Sequence, residues 1–328
     1  MKILVIQTAF IGDVILATPV VEKLHQYFPT AQIDFLLRKG NESLLDGHPF
    51  IHKVIVLNKK APRIAAQARV IAEVKKARYD KIINLHRYGS SGLITLFSRA
   101  KEKIGFDKNP FSFCYTKKVV HTIGNGKHEV ERNLELVASF TDNKIVQPKL
   151  YPAPADYESV AQYKASPYIC LAPSSVWFTK QFPKDKWIEF LNGLSNKYQV
   201  YLLGAKSDKD LCNQIIESTT NKKVMNLAGK LSFLQSAALM QDATMNYVND
   251  SAPMHIASAM NAPVTAIYCS TIPAFGFGPL SKKSFIIETE EKLTCRPCGL
   301  HGYKACPEGH FKCATTIKVD RLIKVLES

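Results

Sequence analysis

Short apolar runs rich in β-branched residues alternate with amphipathic, helix-like segments along the whole chain. Parallel strands need long crossover connections, so this alternation predicts parallel sheets with helices on both faces. The runs predicted as strands are Ile3–Ile6, Ile33–Leu37, Val54–Leu57, Lys81–Leu85, Tyr168–Leu171, Val200–Leu203, Val224–Leu227 and Val264–Tyr268. The sequence therefore predicts an α/β protein whose ligands bind at the carboxyl ends of the strands.

The chain is long enough for two domains of ordinary size. A short polar stretch containing Pro148, Pro152 and Pro154 separates the two series of strands. Each series opens with a buried strand followed by a polar or glycine-containing turn, as in nucleotide-binding folds. We therefore predict two Rossmann-like domains, 1–152 and 153–328.

A proline interrupts the first predicted helix. Pro19 lies within a helical pattern of apolar residues, so the helix either kinks there or restarts, with Thr18 as its cap. The residues that share this face are Val14, Ala17, Val21, Leu24 and Phe28.

Positive charge is concentrated in one part of the chain. The formal charge is +15, and the segment 53–127 holds 17 Lys or Arg against four acids, a net of +13. Such a field suits nucleic acid, an anionic lipid or a phosphorylated glycan, whereas the alternative is a set of solvated helix faces. The hydrophobic content of 46% is that of a globular protein and argues against disorder.

Neither a secretory signal nor a membrane span is predicted. Asp13 interrupts the apolar run after Lys2, and no small-residue cleavage site follows. The longest stretch without charged residues, 251–281, contains four prolines. We therefore expect a soluble, intracellular protein.

Two polar loops follow predicted strands in the first half. Gly12 and Asp13 come after the first strand, where Asp13 is either a helix cap or a general base. His86 and Arg87 follow the strand that ends at Leu85. They either bind an acceptor sugar or phosphate, or belong to an ordinary loop.

The second half offers three candidate nucleotide-binding loops. The segment 249–255 opens a helix, and backbone N–H groups at a helix N-terminus bind anions. Ser174, Ser175 and Lys180 follow the first strand of this half, and hydroxyl and ammonium groups suit a diphosphate. Asp208 follows the next strand, where it either binds ribose hydroxyls or caps a helix.

Four cysteines lie close together near the end of the chain: Cys295, Cys298, Cys306 and Cys313. Their spacing could hold a structural zinc ion, with His301 and His310 as further ligands. The alternatives are reduced thiols that pack in the interior and disulfides. The remaining cysteines, at positions 114, 170, 212 and 269, are predicted to lie in the core.

Together these motifs resemble glycosyltransferase family 9, the bacterial heptosyltransferases of the lipopolysaccharide inner core. The segments that carry the resemblance are 1–6 with 11–13, 174–183 and 249–255 with Pro263. The cysteine-rich segment 293–313 resembles the branch that adds the second heptose. The resemblance implies a GT-B fold, in which two Rossmann-like domains with parallel sheets face each other across a cleft. It also implies that a last helix near 319–326 packs on the first domain.

The resemblance further implies an inverting transfer of heptose from ADP-heptose to a Kdo–lipid A acceptor. Asp13 would be the general base, with Gly12, His86 and Arg87 on the acceptor side. The donor residues implied are Ser174, Ser175, Lys180, Asp208, Leu231, Asp250, Ser251, Ala252 and His255. Ala252 departs from the glycine that the family usually has, and a positive φ there would be strained for alanine.

The resemblance requires no cofactor and leaves a divalent cation open. It places the protein in the cytoplasm, on the anionic inner face of the inner membrane, and gives it no nucleic-acid partner. Two alternatives stay open at this point. One is a GT-B transferase for another nucleotide sugar or acceptor, and the other is a non-catalytic polyanion-binding protein.

Overall fold

The computed structural model describes residues 1–327 of the chain. Backbone contacts divide it into two compact units, Met1–Tyr151 and a second that begins at Pro152. Within residues 1–327, no helix combines the length and apolar character needed to cross a bilayer.

The first unit contains a parallel sheet. Its strands are β1 (Lys2–Ile6), β2 (Gln32–Arg38), β3 (Lys53–Leu57), β4 (Lys81–Asn84), β5 (Glu102–Phe106) and β6 (Lys117–Val119), in the order β3-β2-β1-β4-β5-β6. The central strand β1 is buried from Ile3 to Ile6. A central strand without a solvent face needs helices on both sides, and this requirement produces its continuous apolar run.

The helices of the first unit connect these strands. They are α1 (Ile11–Ile15), α2 (Thr18–Tyr27), α3 (Arg63–Ala77), α4 (Gly89–Phe97) and α5 (Glu129–Glu135). Of the two outcomes predicted at Pro19, the structure shows the restart, but Ala17 caps α2 and not Thr18. Thr18 is the first helical residue, and its hydroxyl donates to the Ile15 carbonyl oxygen at 2.8 Å.

The second unit repeats the architecture. Its strands are β7 (Tyr168–Ala172), β8 (Gln199–Leu202), β9 (Val224–Asn226), β10 (Met245–Asn249), β11 (Val264–Tyr268) and β12 (Ser284–Glu288), in the order β12-β11-β10-β7-β8-β9. Its helices are α6 (Pro154–Val160), α7 (Lys184–Gly193), α8 (Lys209–Ser218), α9 (Phe233–Gln241), α10 (Ala252–Ala259), α11 (Lys312–Thr315) and α12 (Asp320–Lys324).

The last helix lies in the core of the second unit. Leu322 and Val325 belong to the same buried cluster as Phe190. The Tyr247 hydroxyl donates to the Leu322 carbonyl oxygen at 2.8 Å. These contacts tie the last helix to the second unit, and the packing on the first domain that the resemblance implies stays a prediction.

The predicted strands are confirmed with bounds that differ by at most one residue, but four strands were missed. No strand was predicted at the positions of β5, β6, β10 and β12. Asn249 was predicted in a loop, whereas it is the last residue of β10. Buried asparagines interrupt the apolar pattern of β10. The Asn246 side chain, for example, donates to the carbonyl oxygens of Met240 and Pro263.

Candidate functional site

In each sheet, the order of the strands runs in opposite directions on the two sides of one point, the topological switch point. In the first sheet this point lies between β1 and β4, and in the second between β7 and β10. In such sheets the connections that follow the two strands at this point pass to opposite faces of the sheet. A crevice therefore forms at the carboxyl ends of these strands. Four of the loops predicted to carry function follow these strands, whereas the loops of Asp208 and Leu231 follow β8 and β9.

Asp13 lies in the first turn of α1, directly after β1. Its Oδ2 accepts a hydrogen bond from the Phe10 backbone N–H at 3.1 Å. Desolvation and the negative charge of Glu129 raise the pKa of Asp13 to about 6, although the Phe10 hydrogen bond and Arg87 act against the rise. The carboxylate therefore caps its helix and is also a base whose pKa lies near neutral pH.

His86 and Arg87 follow β4, the neighbour of β1. The Thr8 hydroxyl lies 3.0 Å from Nδ1 of the buried His86. Burial, followed by the charges of Lys59 and Arg87, lowers the pKa of His86 to about 3. His86 is therefore neutral at pH 7.

A buried charged cluster that the sequence analysis missed supports this site. Arg87 Nη1 donates to His121 Nδ1 at 3.2 Å, and His121 Nε2 lies 3.6 Å from Glu129 Oε2. Arg132 Nε donates to the same Glu129 oxygen at 2.7 Å. Burial raises the pKa of Glu129, but His121 and Arg132 outweigh it and lower that pKa overall. Only the three-residue spacing of Glu129 and Arg132 hinted at this cluster.

In the second unit, Lys180 and Asp250 form a buried ion pair. Lys180 Nζ lies 2.6 Å from Asp250 Oδ2, and their side chains are 15% and 8% exposed. The Thr271 hydroxyl donates to the same oxygen at 2.6 Å. The structure thus brings together two predicted residues from separate loops and adds a third, Thr271, that the sequence analysis missed.

Asn249 joins the loops on either side of the ion pair. Its side-chain nitrogen donates to the Pro173 carbonyl oxygen at 2.8 Å and to that of Ser174 at 3.4 Å. Its side-chain oxygen accepts from the Phe182 N–H at 3.0 Å. The sequence analysis gave Asn249 no role of its own, yet it holds the Ser174–Ser175 loop against the segment after Lys180.

The N-terminus of α10 follows Asp250. Ser251 is the N-cap, Ala252 is the first helical residue and His255 is buried in the first turn. Ala252 is helical and is absent from the residues with positive φ. The strain considered for alanine at this position does not arise, so the backbone N–H groups keep their helical geometry.

The loops of Asp208 and Leu231 meet through backbone atoms. Asp208 Oδ2 accepts from the Ala205 N–H at 2.7 Å, and the Gly229 N–H donates to the Gly204 carbonyl oxygen at 2.9 Å. Leu231 lies half-buried just beyond Gly229, before α9 begins. The two predicted residues therefore follow adjacent strands, β8 and β9.

The late cysteines are present as thiols. Among the described residues all eight cysteines are free, and no group of three or more His, Cys, Asp or Glu is arranged to hold a metal ion. Cys298 Sγ donates to the Cys295 carbonyl oxygen at 3.0 Å, and burial raises the pKa of Cys313 to about 12. Of the cysteines predicted in the core, Cys114 is only half-buried.

Comparison with known proteins places this architecture in a family. Residues 67–303 match the model of glycosyltransferase family 9 (heptosyltransferase). Lipopolysaccharide heptosyltransferase 3 of Escherichia coli is 28% identical over 277 residues, which cover 80% of this chain and 82% of the relative. Lipooligosaccharide heptosyltransferase 2 of Haemophilus ducreyi is 27% identical over 312 residues, which cover 88% of each chain.

Solved structures establish the fold. The structure of E. coli ADP-heptose lps heptosyltransferase II matches with a TM-score of 0.83 and 24% identity, and covers 100% of this chain and 98% of that one. A family 9 glycosyltransferase of Veillonella parvula matches with a TM-score of 0.86 and 22% identity over the same shares. The predicted GT-B class is therefore confirmed, and the chain belongs to glycosyltransferase family 9, the heptosyltransferases.

Proposed function

We propose that this enzyme transfers heptose from ADP-heptose to the Kdo- and heptose-containing inner core of lipopolysaccharide, with inversion at the anomeric carbon. The position of Asp13 at the carboxyl end of β1, in the first turn of α1, carries the proposal, and its raised pKa agrees with it. The names of the similar proteins, which include an ADP-heptose lps heptosyltransferase, support the choice of donor and acceptor.

Asp13 is the base in this mechanism. An acceptor oxygen forms a bond to the anomeric carbon of the heptose, and its proton passes to the Asp13 carboxylate. The bond from the anomeric carbon to the β-phosphate oxygen breaks, and its electron pair leaves with ADP. A base with a pKa of about 6 is ionised at cytoplasmic pH and keeps more proton affinity than an ordinary aspartate.

The second unit provides for the leaving group. Lys180 and the N-terminal N–H groups of α10 offset the charge that develops on the diphosphate. The hydroxyls of Ser174, Ser175 and Ser251 suit its oxygens, and Asp250 suits the hydroxyls of the donor sugar. We assign the ribose to Asp208, the adenine to Leu231 and the shaping of the phosphate site to Ala252 and His255.

The acceptor belongs to the first unit in this proposal. Arg87 suits the carboxylate of a Kdo residue or a core phosphate, because guanidinium binds such groups in bidentate fashion. Neutral His86 donates or accepts a hydrogen bond without adding charge. Gly12 precedes the base in the first turn of α1.

We further propose that the enzyme binds the anionic inner face of the membrane through the end of its first sheet. Phe113 and Val120 are each 69% exposed around β6, an edge strand, and Lys108 and Lys118 are exposed nearby. Exposed aromatic and apolar side chains among lysines are typical of peripheral membrane surfaces, where each Lys or Arg contributes about 1 kcal/mol.

Sedimentation with lipid vesicles tests this surface. Phe113→Asp should lower binding to phosphatidylglycerol vesicles about tenfold, and raised salt should weaken the binding of the wild type. Met225→Asp is the matched control, because Met225 is an exposed apolar residue on β9 of the second unit. Equal loss in both variants, or equal binding to neutral vesicles, would contradict the membrane proposal.

Acceptor-dependent ADP release from ADP-heptose tests the reaction itself. We expect release by the wild type with a Kdo–lipid A acceptor, no loss of activity with a chelator, and a fall of about 10³-fold in Asp13→Ala. Chelator-sensitive activity would show that a divalent cation assists. Tight ADP binding without turnover of ADP-heptose would direct the search to other nucleotide sugars.

A further inference from the structure

Thr271 contacts the buried ion pair of the second unit and has no part in the function proposed above. Its side chain is 1% exposed, and its hydroxyl reaches the same Asp250 oxygen that Lys180 contacts. Two partners on one oxygen restrict the rotation of the carboxylate. The position of Asp250, and through it that of Lys180, therefore depends on where Thr271 is held.

Arg296 holds the backbone around Thr271 in place. Its Nη2 donates to the Thr271 carbonyl oxygen at 2.9 Å, and its Nε donates to that of Cys269 at 2.7 Å. Nη2 also lies 2.6 Å from Glu288 Oε2 at the end of β12. Because Arg296 belongs to the cysteine-rich loop, that loop anchors the segment 269–271.

The same segment contacts the residue before Lys180. The Ser270 N–H donates to the Thr179 carbonyl oxygen at 3.2 Å, and the Ser270 hydroxyl donates to Thr179 Oγ1 at 3.0 Å. The Cys298 N–H donates to the Ser270 carbonyl oxygen at 2.9 Å. The segment after β11 thus touches Asp250 on one side and the Lys180 loop on the other.

We infer that Thr271 is a positioning residue for the Asp250–Lys180 pair, and that Arg296 anchors it there. The inference rests on the proposed function, in which Lys180 offsets the charge of the diphosphate. A hydroxyl donor on Asp250 keeps its carboxylate from turning, so that Lys180 stays in place for the departing ADP. Charge stabilisation of this kind works best when the charged groups need no rearrangement during the reaction.

Two substitutions at one position separate positioning from packing. Thr271→Val keeps the shape but removes the hydroxyl, and Thr271→Ser keeps the hydroxyl. We expect Thr271→Val to lower kcat about tenfold, to leave the acceptor KM unchanged and to weaken ADP binding severalfold. Thr271→Ser should restore both values to within about twofold of the wild type.

A control tests for general effects of removing a buried threonine. Thr289→Val removes another buried hydroxyl of the second unit, one that lies 2.7 Å from the Thr316 hydroxyl and outside the donor residues. We expect unchanged kcat and ADP affinity. Arg296→Lys replaces the guanidinium, which has several N–H donors, by a single ammonium group. This variant should lower kcat, as Thr271→Val does.

The readouts distinguish failure of the inference from failure of the proposed function. If the wild type is active and Thr271→Val matches it, or if Val and Ser lower kcat equally, Thr271 is not a positioning residue. If the wild type binds ADP without turning over ADP-heptose, the proposed donor is wrong and calorimetric ADP affinities of the variants decide the inference. A wild type that binds no ADP overturns both.

Discussion

The two units place a carboxylate at corresponding points and surround it differently. Asp13 follows β1 and Asp250 follows β10, each at the switch point of its sheet and each where a helix begins. Asp13 accepts a backbone hydrogen bond and is influenced by Glu129, whereas Asp250 is in direct contact with Lys180 and Thr271. The same position at a sheet edge therefore holds a carboxylate of raised pKa in the first unit and a fixed charge pair in the second.

After the loss of the base in Asp13→Ala, the largest effect is expected from breaking the charge pair of the second unit. Lys180→Met should lower kcat about 10²-fold, because removal of one preorganised charge from a leaving-group site costs that much. It should also destabilise the second unit, because Asp250 is left buried without its cation. Steady-state kinetics and urea unfolding measure the two effects.

Asp250→Asn in the Lys180→Met background is the control for that experiment. The neutral amide removes the buried charge, so the double variant should recover stability without recovering kcat. Recovery of both would mean that Lys180 acts only on Asp250 and not on the diphosphate.

The next-largest effect concerns how the ionised carboxylate of Asp13 lowers the free energy of unfolding. The pKa of Asp13 is about 6 in the folded chain against an ordinary 3.8, so the ionised form destabilises the fold above that pH. Asp13→Asn should raise the free energy of unfolding at pH 8 by about 2 kcal/mol. The gain should disappear as the pH falls from 6 to 4, where Asp13 is protonated.

Urea unfolding of wild type and variant at pH 8 and pH 4 measures this difference. Asp250→Asn is the comparison, because it leaves Lys180 without its partner and should not stabilise the protein. A variant at Asp13 that is less stable than the wild type at both pH values would show that its helix cap outweighs the charge effect.

The smallest effect is a shift of the pH profile. Activity should fall below about pH 6 as Asp13 takes up a proton. Glu129→Gln removes a negative charge that raises the pKa of Asp13, so the acidic limb should move down by about half a pH unit. The pH dependence of kcat/KM measures the shift of this limb. kcat above pH 8, at saturating substrate, should stay within about twofold of the wild type.

Glu131→Gln serves as the control for the pH profile. Glu131 lies in the same helix and accepts from the His128 N–H at 2.7 Å, but it is not among the groups that shift Asp13. An equal shift in both variants would assign the effect to α5 as a whole and not to Glu129.

The sequence predicted the central strands because burial on both faces requires uninterrupted apolar residues. It missed β6 and β12, whose edge positions allow charged or exposed residues such as Lys118 and Glu288. It missed β10 because Asn246 and Asn249 replace apolar residues with buried amides that bond to neighbouring loops.

The candidate site divides in the same way. Asp13, His86 and Lys180 were predictable because each belongs to a loop that follows a predicted strand. Asp250 was predictable because it lies in the loop that opens a predicted helix. Their partners were not, because Glu129 and Thr271 approach only after distant segments of the chain have folded. Sequence position thus identifies the groups at a strand end, whereas their tuning depends on tertiary packing.

Gly229 limits which substitutions the second unit can accept. A Cβ atom there would lie 2.8 Å from the Lys206 Cα, and the residue has a φ of +73°. A replacement would push apart the two loops to which we assign the nucleoside, because the obstructing atom belongs to the backbone. Substitution of this glycine should therefore disturb nucleoside binding although the residue bears no functional group.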